Sequence, residues 1–316
     1  MRKKVLVSAL ICCFIFGIGI FSSAQADTIL FPVITVSPTV TTIISVLNVS
    51  SDISYMHYIY RYKDGSASAS SGCTTKEFTR NTYEDDLVSF DAQGTFNSGN
   101  ALFGDTDSYG GSFELSSTGI YRAYLVVTHS DASGTRTDTS CIGCLAGEAI
   151  VMDIAAGAAW GYKAVQEMST QDYTFVNYND GGGVYDSVSS SLWFLGWRFF
   201  TLFSPNEWTT KFFVTPIGGD MRSDQSAQIA VIDFKDRTRS TYSPTLTPSI
   251  TCTTALRPDD LLDSTIYSNI QNSGGFGLMA IIAGDAIMYK LEYVLNNPTY
   301  GGTNNNCYLF SGYSWP

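Results

Sequence analysis

Two stretches of this 316-residue chain, roughly 170 residues apart, read as variants of one β-rich module, which restricts the fold to tandem copies of a single architecture. The first runs Phe31-Pro32, then Val40-Thr41-Thr42-Ile43-Ile44-Ser45-Val46-Leu47-Asn48, a tyrosine-rich strand from Tyr55 to Tyr62, Cys73-Thr74-Thr75, and Asp85-Asp86-Leu87. The second runs Phe203-Ser204-Pro205, then Trp208-Thr209-Thr210-Lys211-Phe212-Phe213-Val214-Thr215-Pro216, an alternating strand from Ala227 to Phe234, Cys252-Thr253-Thr254, and Asp259-Asp260-Leu261. Order is preserved throughout. The spacing from the Thr-Thr pair to the Cys-Thr-Thr differs by about ten residues, which a surface loop absorbs at small entropic cost.

Between Ile29 and His129 apolar and polar residues alternate with period two in short runs separated by turn residues, the pattern of antiparallel strands with one buried face. Strands are expected at 29–36, 41–49, 54–63, 87–92, 112–115, 121–129 and 148–154, with Lys63-Asp64-Gly65 as a turn and 65–72 as a flexible Ser/Ala/Gly loop. In the second module they are expected at 191–203, 209–216, 227–235, 249–254, 276–283, 287–295 and 307–313. A short helix is expected over 155–167. A second starts at Pro258, where Asp259 and Asp260 complement its positive end, and carries Leu261, Leu262, Ile266 and Ile270 at helical spacing up to Gly274. Asp180-Gly181-Gly182-Gly183 marks the domain boundary. The expected fold is all-β: two tandem antiparallel β-sandwiches, immunoglobulin-like or jelly-roll-like, over residues 27–175 and 180–316. The apolar run Trp193, Phe194, Trp197, Phe199 and Phe200 is expected to form the interface between them.

Arg2, Lys3 and Lys4 precede an uncharged run from Val5 to Phe21, and Ala24-Gln25-Ala26 supplies a cleavage site, so residues 1–26 read as a signal peptide. Nothing after Phe21 is apolar for long enough to span a membrane as a helix. Loss of the three basic residues takes the net charge from −11 to about −14, which argues against nucleic acid and anionic membrane surfaces as partners. Export favours disulfides among Cys73, Cys141, Cys144, Cys252 and Cys307. Cys252–Cys307 is the expected pair, with Cys141 and Cys144 a short-range loop staple and Cys73 left free or competing for one of these two thiols. The Cys141 to Cys144 spacing lacks the strand-to-helix context of a redox dithiol.

No catalytic constellation emerges. The two histidines, His57 and His129, fall in strands without neighbouring ligands, and no nucleophile elbow, phosphate loop or zinc-binding helix motif is present. No enzyme activity is therefore expected. Gly104-Asp105-Thr106-Asp107-Ser108-Tyr109-Gly110 places Asp105 and Asp107 at the alternate positions of an oxygen-ligand loop, a candidate Ca²⁺ site, although Tyr109 and Ser116 depart from the EF-hand pattern. Tyr58, Tyr60 and Tyr62 share one strand face and are candidate binding residues, since exposed tyrosines stack on sugars or anchor protein partners.

The Phe-Pro start, the Val-Thr-Thr-Ile-Ile-Ser-Val-Leu-Asn strand and its second version ending Val214-Thr215-Pro216 resemble the opening of an immunoglobulin-like sandwich module of secreted and surface proteins of bacteria. In that group an aromatic-Thr-Thr strand ends in Val-Asn-Pro; here Val40 replaces the aromatic, no Pro follows Asn48, and Thr215 replaces the Asn. The resemblance implies an exported location, at the cell surface or in the periplasm, and a structural or adhesive role with no cofactor. The expected function is a secreted, non-enzymatic surface or matrix protein whose partners are itself, other surface proteins or glycans. Two other classes fit the same pattern: a carbohydrate-binding module using the tyrosines, and an outer-membrane β-barrel.

Overall fold

A computed structural model describes residues 28–94, 114–115, 119–137, 144–155, 158–166, 173, 175, 194–195, 209–294 and 307–312. The chain is all-β, with antiparallel pairing throughout the described sheets and two short helices among the described residues. The first half contributes β1 (Thr28–Val36), β2 (Val40–Asn48), β3 (Tyr55–Asp64), β4 (Thr74–Asn81), β5 (Asp86–Asp91), β6 (Tyr121–Ser130), β7 (Leu145–Asp153), β8 (Ala158–Lys163) and β9 (Val165–Gln166). These form two sheets, β4-β3-β6-β1-β9 and β5-β2-β7-β8. They close on one core in which Ile29, Phe31, Ile44, Val46, Tyr58, Tyr60, Leu125, Val127 and Val151 are buried.

The second half contributes β10 (Phe194–Leu195), β11 (Thr209–Ile217), β12 (Ala227–Asp236), β13 (Thr241–Tyr242), β14 (Ser249–Ile250), β15 (Thr254–Leu256), α1 (Pro258–Leu261), α2 (Ser264–Ile270), β16 (Gly275–Ala283), β17 (Asp285–Val294) and β18 (Cys307–Gly312). Its sheets are β10-β16-β12-β13, with β14 also on β12, and β15-β11-β17-β18. Between them lie Phe212, Val214, Ile229, Val231, Phe234 and Met279, sealed at one end by Leu261, Leu262, Ile266 and Ile270 of the helical segment.

The two halves share one topology. The order β4-β3-β6-β1 recurs as β13-β12-β16-β10, and β5-β2-β7-β8 recurs as β15-β11-β17-β18. Side-chain direction agrees as well: Ile44 and Val46 face the first core as Phe212 and Val214 face the second. The equivalent strands β3 and β12 even end on one device. The Asp64 carboxylate accepts the Ser66 N–H at 2.7 Å, and that of Asp236 accepts the Thr238 hydroxyl at 2.7 Å and the Ser240 N–H at 2.9 Å. These hydroxyl and amide bonds hold both carboxyls below the usual range.

Several sequence expectations are corrected. Residues 158–163 form β8 and not a helix: Trp160 and Tyr162 alternate with solvent-facing Ala159 and Gly161, and the ladder to β7 outweighs the local Ala-rich propensity. The helix after Pro258 breaks at Leu262, and the Asp263 carboxylate caps its second part by accepting the Thr265 and Ile266 N–H groups at 3.1 and 3.0 Å. Asp86 opens an edge strand, whereas Asp259 and Asp260 lie in α1 after the edge strand, so the two Asp-Asp-Leu triplets are not equivalent. Strand β4, polar apart from Phe78 and only half exposed, gave no apolar alternation to detect. The described strands form four open sheets and no closed barrel. Among the described residues no helix is long and apolar enough to cross a membrane.

Gly147 lets β7 lie close under β1: a Cβ there would meet the Phe31 ring at 2.5 Å and the Ser45 carbonyl oxygen at 2.9 Å. Gly147→Ala is expected to lower unfolding stability by about 1–3 kcal/mol in urea titration. Gly219→Ala, with nothing within 4 Å of the added carbon, should stay within about 0.5 kcal/mol of the parent.

Candidate functional site: the junction between the two sandwiches

Among the described residues the candidate site lies where the halves meet, and it begins with a proline. Pro32 has no N–H to give the ladder, and the β1–β6 register shifts between Phe31 and Ile34. The bulged carbonyls, fully buried, find partners elsewhere. The Thr215 and Thr253 hydroxyls of the second half both reach the Pro32 oxygen, the latter at 3.2 Å. The Tyr162 hydroxyl donates to the Val33 carbonyl at 2.5 Å and accepts from the Val33 N–H at 3.3 Å. Burial pushes the Tyr162 phenol well above its ordinary pKa, so it remains a proton donor.

Around this bulge an aromatic plug closes the mouth of the first sandwich. Phe213 lies 5.7 Å from Trp160, Tyr289 lies 5.4 Å from Tyr162, and Leu291 joins the same core. Sheet β15-β11-β17-β18 therefore buries both faces, Phe212 and Val214 on its own core and Phe213 and Tyr289 on its neighbour's.

Sheet β4-β3-β6-β1-β9 is also covered twice. Its outer residues Leu30, Ile59, Tyr124 and Val126 pack against Tyr173, Phe175, Ile217 and Met221. A strap from Gly218 to Ser226 crosses that face. It is fastened by Phe175 N–H to the Gly218 carbonyl (3.1 Å), Met221 N–H to the Tyr173 carbonyl (3.2 Å) and the Tyr124 hydroxyl to the Met221 carbonyl (2.8 Å). Arg222 stacks on the Tyr173 ring at 4.3 Å while pairing with Asp220. Buried Arg61 pairs with Asp224 and donates to Thr75 at 2.5 Å, and Asp224 also accepts the Cys73 N–H at 3.1 Å. Beside it a disulfide joins Cys73 to Cys252, 179 residues apart.

The Ser/Ala/Gly loop 65–72 is likewise part of the junction. Lys63, only 6% exposed, donates from Nζ to the Ser68 and Ala69 carbonyls at 3.0 Å each; the Ala69 carbonyl also accepts the Thr251 N–H at 3.1 Å, and Ala69 packs on the second core. Desolvation lowers the Lys63 pKa to about 8.

The residues singled out by sequence fare unevenly. Tyr58 and Tyr60 are wholly buried, Tyr58 stacked on Phe78 at 5.1 Å and edge-on to Phe90 at 5.8 Å, because the even-numbered face of β3 looks into the core. Tyr62 is half-buried, edge-on to Tyr121 at 5.3 Å. These rings are packing residues, which overturns their assignment as an exposed binding face. Asp105 and Asp107 lie outside the described residues, and no group of three or more His, Cys, Asp or Glu suited to a metal occurs among those described.

The Cys252–Cys307 expectation is corrected. Cys307 opens β18, the opposite edge of its sheet from β15 next to Cys252; three strand spacings, about 14 Å, exceed what a disulfide spans. Cys73 is therefore not free. Cys144 is also disulfide-bonded, while Cys141 lies outside the described residues. Of the Trp193 to Phe200 run, only Phe194 and Leu195 are described, as strand β10 paired with β16, and the rest of the run expected at the interface lies outside the described residues.

His57 sits 3.4 Å from Glu77, its pKa lowered by burial and partly restored by that carboxylate. His129 is buried, its Nε2 sharing a hydrogen bond with the Asn48 side-chain oxygen at 2.9 Å. Neither arrangement places a nucleophile on a base. Pro32, Thr215 and Thr253 stand in the repeated motif and Lys63 in a turn signal, but the junction role of these residues and of Asp224 is not legible in the sequence. The available signal was Arg61 and Lys63 on the strand face opposite the tyrosines, two cations that a covering element must meet with acceptors. Comparison with protein-family models, curated proteins and solved structures finds no match.

Two expectations follow from this geometry. Cys73→Ser with Cys252→Ser should lower unfolding stability by about 3–5 kcal/mol, because a loop of this length is released in the unfolded chain. Lys63 is less easily protonated folded than unfolded. Below pH 8 both states hold the proton and the penalty is constant; between pH 8 and about 10.5 only the unfolded chain retains it, so stability contributed by this group rises with pH. The urea stability of the parent relative to Lys63→Met should accordingly climb by up to about 3 kcal/mol across that window.

Proposed function

We propose that the chain is an exported, non-enzymatic structural or adhesive protein of a bacterial cell surface or matrix, built by internal duplication of one immunoglobulin-like sandwich. The observation that carries this reading is the junction. Two sandwiches of identical topology are locked by a disulfide, a two-sided apolar seal and buried hydrogen bonds, an arrangement that produces a stiff two-module unit. The signal-like leader, the acidic balance and the disulfide fit an oxidising compartment outside the cytoplasm.

Contacts with other molecules in this reading fall on the sheet edges and solvent-facing strands. β4 mixes exposed and half-buried residues, with exposed Glu77 and half-buried Lys76 and Arg80 along its length, an edge to which an extended segment can pair while the charges select the partner. Other copies of the chain, other surface proteins and glycans are the partner classes.

Fractionation of native cells tests the proposal. The processed protein should appear in the surface-sheared fraction or the medium, and purified protein should form oligomers or fibres. Cytoplasmic retention of an unprocessed chain, or a strict monomer at all concentrations with no surface exposure, would overturn it.

A further inference from the structure

We infer that the contact joining the two sandwiches is used once and closed: neither set of register positions that would repeat it between neighbouring copies carries the residues that make it. This rests on the duplication proposed above, which would otherwise predict the reverse. Each module carries both halves of a docking contact, so a duplicated pair has one unsatisfied half at each end and tends toward open head-to-tail chains.

The ladder registers show what happened to those two halves. Because Ile44 and Val46 correspond to Phe212 and Val214, Ser45 stands where the second sandwich has Phe213. Ser45 pairs with Glu148 as Phe213 pairs with Tyr289, so the two plugging aromatics are replaced by a serine and an acid. The Ser45 hydroxyl bonds that of Ser89 at 2.9 Å across the ladder, and Glu148 is exposed. Apolar side chains remain around them, with Leu87 54% and Ile150 41% exposed, but the centre of the face is polar.

The receiving mouth is altered too. Trp160 pairs with Val151, which pairs with Thr42; by the same path Thr210 leads through Glu292 to Leu309. Tyr162 leads through Ala149 to Ile44, and the corresponding Phe212 leads through Lys290 to Ser311. Leu309 and Ser311 thus hold the register positions of the tryptophan and tyrosine that receive the plug. Docking one chain's Ser45 and Glu148 face on another's Leu309 and Ser311 edge would strip water from a carboxylate without supplying an aromatic contact. Terminal modules of repeat proteins carry polar outer faces for the same reason. Any assembly of this protein then proceeds by a route other than module docking.

Sedimentation velocity of the mature full chain, alone and as Glu148→Arg, tests this. The expected result is either a monomer or an assembly that Glu148→Arg leaves unchanged; assembly lost on Glu148→Arg would overturn the inference. The positive arm restores the contact. A chain carrying Ser45→Phe and Glu148→Tyr, mixed with one carrying Leu309→Trp and Ser311→Tyr, should associate at least tenfold more tightly than the parent does with itself. Both variants are first checked for parental circular dichroism. Two folded variants that fail to associate would overturn the assignment of the contact to these positions. Neither readout depends on where cells place the protein, so failure here is distinguishable from failure of the surface reading.

Discussion

The buried carbonyl of Pro32 is the constraint that the docking of the two sandwiches answers. A proline in a strand nine residues long and buried throughout leaves the ladder locally unable to satisfy itself, and an unpaired buried carbonyl costs roughly 1–3 kcal/mol. Among the described residues the first sandwich supplies no donor of its own to that oxygen. Thr215 and Thr253 provide it from the second half, and both are themselves positioned by elements that pack on the second core. The docking is therefore a condition for a satisfied first sandwich as well as a consequence of its apolar surface. The same reasoning covers Val33, whose N–H and C=O both turn to Tyr162, a residue of the first half held in place by Tyr289 of the second.

The all-β class and the strand sequence were legible because alternation reports a buried face, and the runs 29–36, 41–49, 54–63 and 209–216 coincide with β1, β2, β3 and β11 to within one or two residues. What alternation cannot report is a face covered from the other side. β1, Thr-Ile-Leu-Phe-Pro-Val-Ile-Thr-Val, is buried on both faces, and its nearly continuous apolar run is the mark of a strand between two layers. The tyrosines of β3 were misread for a related reason. Period two places Tyr58, Tyr60 and Tyr62 on one face but does not say which face looks inward, and here the rings went to the core while Arg61 and Lys63 met the strap and the loop. Cysteine pairing was illegible because both partners lie near the junction, a place defined only by the packing of the halves.

The cations beneath the second half show how an acidic chain spends its few positive charges. Arg61 and Lys63 are buried on the same face of β3, yet they are compensated differently: Arg61 meets a carboxylate and a hydroxyl, Lys63 only two peptide carbonyls. The planar fork of the guanidinium fits the carboxylate and hydroxyl it meets, whereas the desolvated Lys63 ammonium gives up its proton more readily, in keeping with its lowered pKa. The loop that holds Lys63 is poor in side-chain bulk because its backbone is what makes the contacts.

The position of the disulfide has a mechanical consequence. Cys73 and Cys252 lie well inside the chain, so the polypeptide between them forms a covalently closed loop. If the protein is pulled through its two ends, tension passes directly across the sulfur bridge, and only the segments outside the loop can be drawn out. The 179 residues of separation, about 600 Å of fully extended chain, are withheld from extension for as long as the bridge is oxidised. Under tension such a molecule behaves as a short, nearly inextensible link, and one thiol–disulfide exchange event is what would convert it into a long, compliant one.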